Sequence, residues 1–220
     1  MGRKARKNYD TSFFHVIVQG IKKEYIFKND HYIEKYIKLM NKYESEFNLL
    51  ILSYCIMNNH AHLLIYIKKI EDMSKFMHKV NSIYAEYFNY KEDERVGYVF
   101  RDRFKSQPIY DIGYLIKCIN YIHLNPVKAL IVSECENYKY SSYNYYLKNI
   151  NNSVDNKINF IRKILGQNYM EVLNDNLKNT NIFYDVDINL HNLIDNKILY
   201  FMERENIKIN NIYENEEILR

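Results

Sequence analysis

The chain has 220 residues, 31 Lys+Arg against 27 Asp+Glu, a formal net charge of +4, and 47% hydrophobic against 26% charged residues, the balance of a globular protein with room for a sizeable core. The odd cysteines Cys55, Cys118 and Cys135 form no CxxC pair and sit among apolar neighbours, which excludes a disulfide framework and suits reduced, buried thiols in a cytoplasmic protein. No apolar run approaches the roughly 18 residues of a membrane span, and no apolar segment follows the basic N-terminus, so neither a membrane protein nor a secreted one is expected.

In chain order, residues 12–19 (SFFHVIVQ) are β-branched and aromatic and read as a strand stopped by Gly20. Asp30 is a candidate N-cap for a helix to Glu46, with Ile33, Tyr36, Ile37 and Met40 at helical spacing. Residues 48–57 form a short apolar run, Asn58-Asn59 signals a turn, and 60–67 (HAHLLIYI) follow as a second strand, so the pair reads as a hairpin. A helix over 73–89 places Phe76, Val80, Ile83, Tyr84 and Tyr87 on one side, and residues 97–107 suggest a fourth strand. This β-α-β-β-α-β order predicts an α+β, ferredoxin-like antiparallel sheet. A further helix over 112–124 is expected to end at Asn125-Pro126, because proline disfavours helical geometry in the residue before it. The segment to Tyr146 reads as loop plus a short helix. Residues 149–158 read as an Asn-rich linker, followed by amphipathic helices near 159–177 and 190–206. The expected organisation is one domain over 1–148 and a linker with a helical tail over 149–220.

Charge follows that division. Residues 1–148 carry 23 Lys+Arg against 16 Asp+Glu, while 149–220 carry 8 against 11. The basic part opens with Arg3, Lys4, Arg6 and Lys7 and holds a second cluster, Arg101, Arg103 and Lys105, the kind of footprint a polyanion partner leaves. The 23 tyrosines, by contrast, accompany abundant Asn, Lys and Ile and no Trp. AT-rich codons account for that pattern, so it is not read as a base-stacking surface.

The sharpest chemical feature is His60-Ala61-His62, on a strand directly after a turn. Strand side chains alternate, so the two imidazoles share a face about 6.5 Å apart along the strand. They can converge on one divalent ion but leave it short of ligands. Tyr121 and Asn125, at i and i+4, share a helix face. Packed across the open side of the sheet, that face would bring the Asn125 amide oxygen to the ion and the Tyr121 phenol to whatever the ion holds. Two neutral nitrogens and one amide oxygen suit Mg²⁺ or Mn²⁺ better than a structural zinc.

The runs YCIMNNHAHLLIYI, GYVFRDRFKSQPI, INYIHLNPVKALIV and ENYKYSSYNYYL, with the opening FFHVIVQGIKKEYIF, resemble the REP-associated tyrosine transposases of the HUH (His-hydrophobic-His) single-strand transposase group. The resemblance covers about residues 10–147. It implies an additional catalytic helix on the sheet face opposite the other helices, and metal-dependent cleavage and joining of single-stranded DNA at hairpin-forming repeats. By position it assigns His60, His62 and Asn125 to the metal and Tyr121 to the nucleophile that forms a 5′-phosphotyrosine. Arg3, Lys4, Arg6, Lys7, Arg101, Arg103 and Lys105 would contact phosphates, and Phe104 and Tyr98 are candidates for stacking on bases. For assembly the resemblance implies a monomer or a homodimer: related single-strand transposases include dimers that share active sites, while the REP-associated type is expected to act as a monomer. The chain departs from the pattern at Asn58 (usually Pro), Ala61 (a small choice), Gln19 (often basic) and Tyr140 (usually Trp); none of these removes a group the reaction needs. The alternative is a domesticated protein that grips a DNA hairpin without cutting it. His15 and His123 read as structural residues or as supports behind the ligands, and His78 as a helix-surface residue.

Overall fold

The computed structural model of the protein describes residues 10–93, 95–148 and 155–177. Four strands, β1 (Phe13–Gln19), β2 (Leu49–Met57), β3 (His60–Ile67) and β4 (Lys105–Ile109), form one antiparallel sheet in the order β2-β3-β1-β4. Helices α1 (Asp30–Glu44) and α2 (Ile70–Lys91) pack against each other and against β2 and β3. α3 (Ile112–Lys128) covers the opposite face, against β2 and β3. The α+β, ferredoxin-like reading therefore holds, with one helix set apart from the other two.

Alternation along the central strands builds both faces. Phe14, Val16 and Val18 on β1 and Ala61, Leu63 and Ile65 on β3 are almost wholly buried on the α1/α2 side. Each large side chain among them contributes roughly 1.5–3 kcal/mol of burial. The α1 cap is Asn29 rather than Asp30: its side chain accepts from the His31 amide at 3.1 Å.

Two boundaries differ from expectation for identifiable reasons. The fourth strand occupies 105–109 rather than 97–107. Residues 99–101 touch the end of β1 in passing, through Ile21 N–H to the Val99 carbonyl (2.9 Å) and Arg101 N–H to the Gln19 carbonyl (2.8 Å). The chain then bends at 101–103 and resumes pairing at Lys105. Pro108 is tolerated within β4 because this is an edge strand, where a ladder donor can be missing.

Helix α3 likewise does not stop at Asn125. It runs through Pro126 to Lys128 and closes in a Schellman motif, with Ile131 N–H to the Pro126 carbonyl (2.9 Å) and Leu130 N–H to the Val127 carbonyl (2.9 Å). Leu130 takes the left-handed position at φ 56° that glycine usually fills.

Beyond Tyr138 the chain returns along the outer edge of β2. The Ile56 amide donates to the Tyr140 carbonyl (3.0 Å), the Ser142 amide to the Tyr54 carbonyl (2.9 Å), and the Tyr138 hydroxyl to the Ile56 carbonyl (2.7 Å), which protects that edge. A short helix α4 (Tyr143–Lys148) follows. The helix expected over 159–177 is two, α5 (Asn156–Leu165) and α6 (Tyr169–Leu177), parted at Gly166 with φ 89°. α5 thus begins inside the expected linker. Both helices join the same hydrophobic cluster as the sheet. Phe160 packs on Phe13 and Tyr66, and Asn120 of α3 donates to the Leu173 carbonyl at 2.8 Å. Among the described residues the core does not end at 148. The helix expected near 190–206 lies outside the described residues. No described helix is long and apolar enough to cross a membrane.

Candidate active site

Register places the histidine pair. His62 stands opposite Ile17 on β1 and Cys55 on β2, and His60 opposite Gln19 and Met57, so these side chains share the α3 face. The imidazole centroids of His60 and His62 lie 4.9 Å apart. Tyr121 meets the His62 ring edge-on at 5.4 Å and that of His15 at 5.7 Å. One turn later Asn125 lines the same cleft, a cavity of about 490 Å³ that also exposes Gln19, Phe104 and Asp102. The chain thus brings together all four residues that sequence reasoning singled out. Tyr114, seven residues before Tyr121 on the helix, does not line the cleft, and burial pushes its phenol above the ordinary value.

Hydrogen bonds orient the candidate ligands. The Nδ1 of His60 lies 2.5 Å from Asn59 Oδ1, and the Nδ1 of His62 lies 3.0 Å from His15 Nε2. Nδ1 is thus the nitrogen that both rings commit to these contacts. Asn125 Nδ2 donates to the Tyr121 carbonyl at 2.8 Å, so Oδ1 is the atom its amide turns away from the helix backbone. Burial, and then the neighbouring His15 and His60, hold His62 well below the usual imidazole value; the ring is neutral at pH 7, as ligation requires. Among the described residues no group of three or more His, Cys, Asp and Glu could hold a metal. His60, His62 and Asn125 line the cleft together, and two imidazoles and an amide are donors that could hold an oxygen- and nitrogen-loving divalent ion with open positions.

Cations ring the cleft. Arg101 and Lys105 line it, whereas Arg103 does not and instead offers its backbone carbonyl to Asn81 (3.1 Å). Arg3, Lys4, Arg6 and Lys7 lie outside the described residues. Two lysines were missed. Lys128 stands one further turn along the Tyr121–Asn125 face, with its Nζ 5.4 Å from the centre of the Tyr121 ring, and Lys23 comes from the turn after β1. Spacing of i, i+4 and i+7 could have revealed Lys128. Lys23 depends on a chain reversal at Gly20, where a Cβ would come within 2.4 Å of the Glu24 carbonyl oxygen. Phe104 is half-buried at the cleft wall, and Tyr98 is 85% exposed.

The model of the family described as "Transposase IS200 like" matches residues 8–125, a span that contains His60, His62, Tyr121 and Asn125 and all of the cleft lining except Lys128 and Ala129. The chain belongs to the IS200-like transposases. No curated protein matches it. Among solved structures it is similar to a REP-associated tyrosine transposase bound to a REP hairpin, at 15% identity and TM-score 0.55, over 67% of this chain and 86% of that one. A proposed transposase from Deinococcus radiodurans R1 matches at 12% identity and TM-score 0.39, over 52% and 91% of the two chains. The first shares the fold of this IS200-like transposase. The departures at Asn58 and Ala61 fit that fold: the Asn58 carbonyl accepts from the Phe27 amide (2.8 Å), and Ala61 is fully buried on the face away from the cleft.

Proposed function

We propose that this IS200-like transposase nicks and rejoins single-stranded DNA at hairpin-forming repeats, with Tyr121 as nucleophile and His60, His62 and Asn125 as ligands of Mg²⁺ or Mn²⁺. The observation that carries the reading is the meeting of the Tyr121 ring with the imidazole pair inside one cation-rimmed cleft. Family membership and the hairpin bound to the structural relative support the substrate class.

A phenol ionises near pH 10 and is a weak nucleophile at neutral pH. A divalent ion, when bound, neutralises charge on a non-bridging phosphate oxygen and lowers the barrier to in-line attack. Tyr121 supplies the attacking oxygen. Its bond to phosphorus forms as the bond to the 3′ oxygen breaks; the phenolic proton goes to solvent and the released 3′-OH takes one up. The 5′-phosphotyrosine conserves the phosphodiester, so another 3′-OH can displace Tyr121 and join strands. Arg101 and Lys105 hold the backbone across the cleft mouth, and the basic residues 3–7, with Arg103, extend the grip.

The test is a denaturing gel of protein with Mn²⁺ and a single-stranded hairpin oligonucleotide. A covalent adduct is expected, lost in Tyr121→Phe while hairpin binding persists. Binding with no adduct under any divalent ion would instead make the protein a non-cleaving hairpin binder. An adduct that survives Tyr121→Phe would move the nucleophile elsewhere.

A further inference from the structure

β1 carries a buried histidine that the proposed chemistry does not use. His15 lies beside β3 on the α3 face and is 7% exposed. Its ring stacks on His62 at 5.2 Å and 18°, with Nε2 at 3.0 Å from His62 Nδ1, and its edge meets Tyr121. A hydrogen bond between two neutral imidazole nitrogens needs one donor and one acceptor. For His62 to offer Nε2 to an ion, its Nδ1 must carry the proton, and His15 Nε2 must accept it. Unconstrained neutral histidine favours the other tautomer, with the proton on Nε2, so a ligand of this kind needs a partner that selects the rarer form. The second imidazole repeats the arrangement: Asn59 Oδ1 meets Nδ1 of His60, while Asn59 Nδ2 is anchored on the Lys23 carbonyl at 3.3 Å.

We infer that His15 is a positioning residue that holds His62 in its Nδ1–H tautomer, with Asn59 doing the same for His60 from the β2–β3 turn. The inference rests on the metal reading of the cleft, and it gives that reading a supporting layer built from three separate pieces of chain. Space-filling alone would be served equally well by leucine at 15; a tautomer lock requires an acceptor.

The experiment compares wild type, His15→Gln, which keeps an acceptor oxygen, and His15→Leu, which does not. Ring-nitrogen NMR of metal-free protein reads the His62 tautomer, and Mn²⁺ titration followed by electron paramagnetic resonance reads affinity. Wild type and His15→Gln are expected to carry the His62 proton on Nδ1. His15→Leu should move it toward Nε2 and weaken Mn²⁺ binding about 10–100-fold. A proton on Nε2 in wild type, or a His15→Leu protein with unchanged tautomer and affinity, would overturn the inference. Should His15→Leu fail to fold, the wild-type tautomer and the pair Asn59→Asp and Asn59→Leu, read at His60, decide in its place. A wild type that takes up no Mn²⁺ would sink the metal reading, and the tautomer spectra would still establish whether His15 accepts from His62.

Discussion

The two faces of the sheet are made by the same strands and do different work. Toward α1 and α2, β1 and β3 present Phe14, Val16, Val18, Ala61, Leu63 and Ile65, each 0–1% exposed. Toward α3 the intervening residues include His15, Gln19, His60 and His62, three imidazoles and an amide beside a tyrosine. The period-2 alternation of a strand separates the two tasks residue by residue. Apolar burial on one side fixes the sheet, and that rigidity holds the imidazoles in place on the other. A site supported in this way can lose its chemistry without losing its fold, and the reverse.

Neighbouring residues break the comparison most sharply. His60→Ala removes one of the proposed ligands from the half-buried rim of the cleft, and adduct formation should fall at least about 100-fold, since an ion held there would supply several kcal/mol to such a step. Thermal stability should stay within about 0.5 kcal/mol of wild type. Leu63→Ala, three residues on and on the other face, should cost about 2–5 kcal/mol in urea unfolding, while adduct yield per folded molecule holds. Comparable losses in both assays for both variants would mean that the faces are not separable.

Acid sharpens the contrast, because the α3 side also buries neutral imidazoles. His123 Nε2 lies 2.8 Å from Ser142 Oγ and 3.1 Å from Ser53 Oγ, with the rings of Tyr143 and Tyr146 edge-on around it. Burial lowers its pKa to about 3, and burial likewise lowers His15 to about 4. Between those values and the ordinary 6.5 the unfolded chain binds protons that the folded one does not. These groups therefore leave stability intact above about pH 6.5 and erode it as pH falls toward 3. For chelator-treated protein the expected loss is about 1.4 kcal/mol per pH unit for each group. His123→Gln should flatten the unfolding free energy against pH by one such slope, and a profile identical to wild type would contradict the neutral burial of His123.

The same alternation explains what the sequence made legible. A two-residue turn followed by His-Ala-His fixed which side chains share a face, and i, i+4 spacing put Tyr121 and Asn125 together; both are local rules. Long-range or sequence-silent features were not readable. His15 meets His62 across 47 positions of chain, through a register that no local pattern reveals. Pro126 looked like a helix stop, yet the true stop is a Schellman turn with leucine in the glycine position. β4 was set too early, ending before Pro108, and only its place at the sheet edge makes proline acceptable within the strand. The helices α5 and α6 read as a tail because amphipathicity shows that a face must be buried without showing against what.

The smallest expected effect concerns the cleft rim, where the sequence grouped three cations that the structure divides. Arg101 and Lys105 line the cleft with Lys23 and Lys128, and Arg103 does not. Lys128 sits over the Tyr121 ring, and partial burial holds its pKa below the usual lysine value, so it is placed to meet a phosphate that reaches the phenol. Each cation that contacts a single-stranded backbone contributes about 0.7 to the slope of log affinity against log salt. Lys128→Gln should weaken hairpin-oligonucleotide binding a few fold at moderate salt and reduce that slope by about one contact. Arg103→Gln should change both less, because its side chain stands outside the cleft. Fluorescence anisotropy across a salt series measures the two slopes. If Arg103 mattered more than Lys128, the strand would run along the outer side of the 101–105 loop, not through the cleft, and the path proposed for DNA past Tyr121 would have to be redrawn.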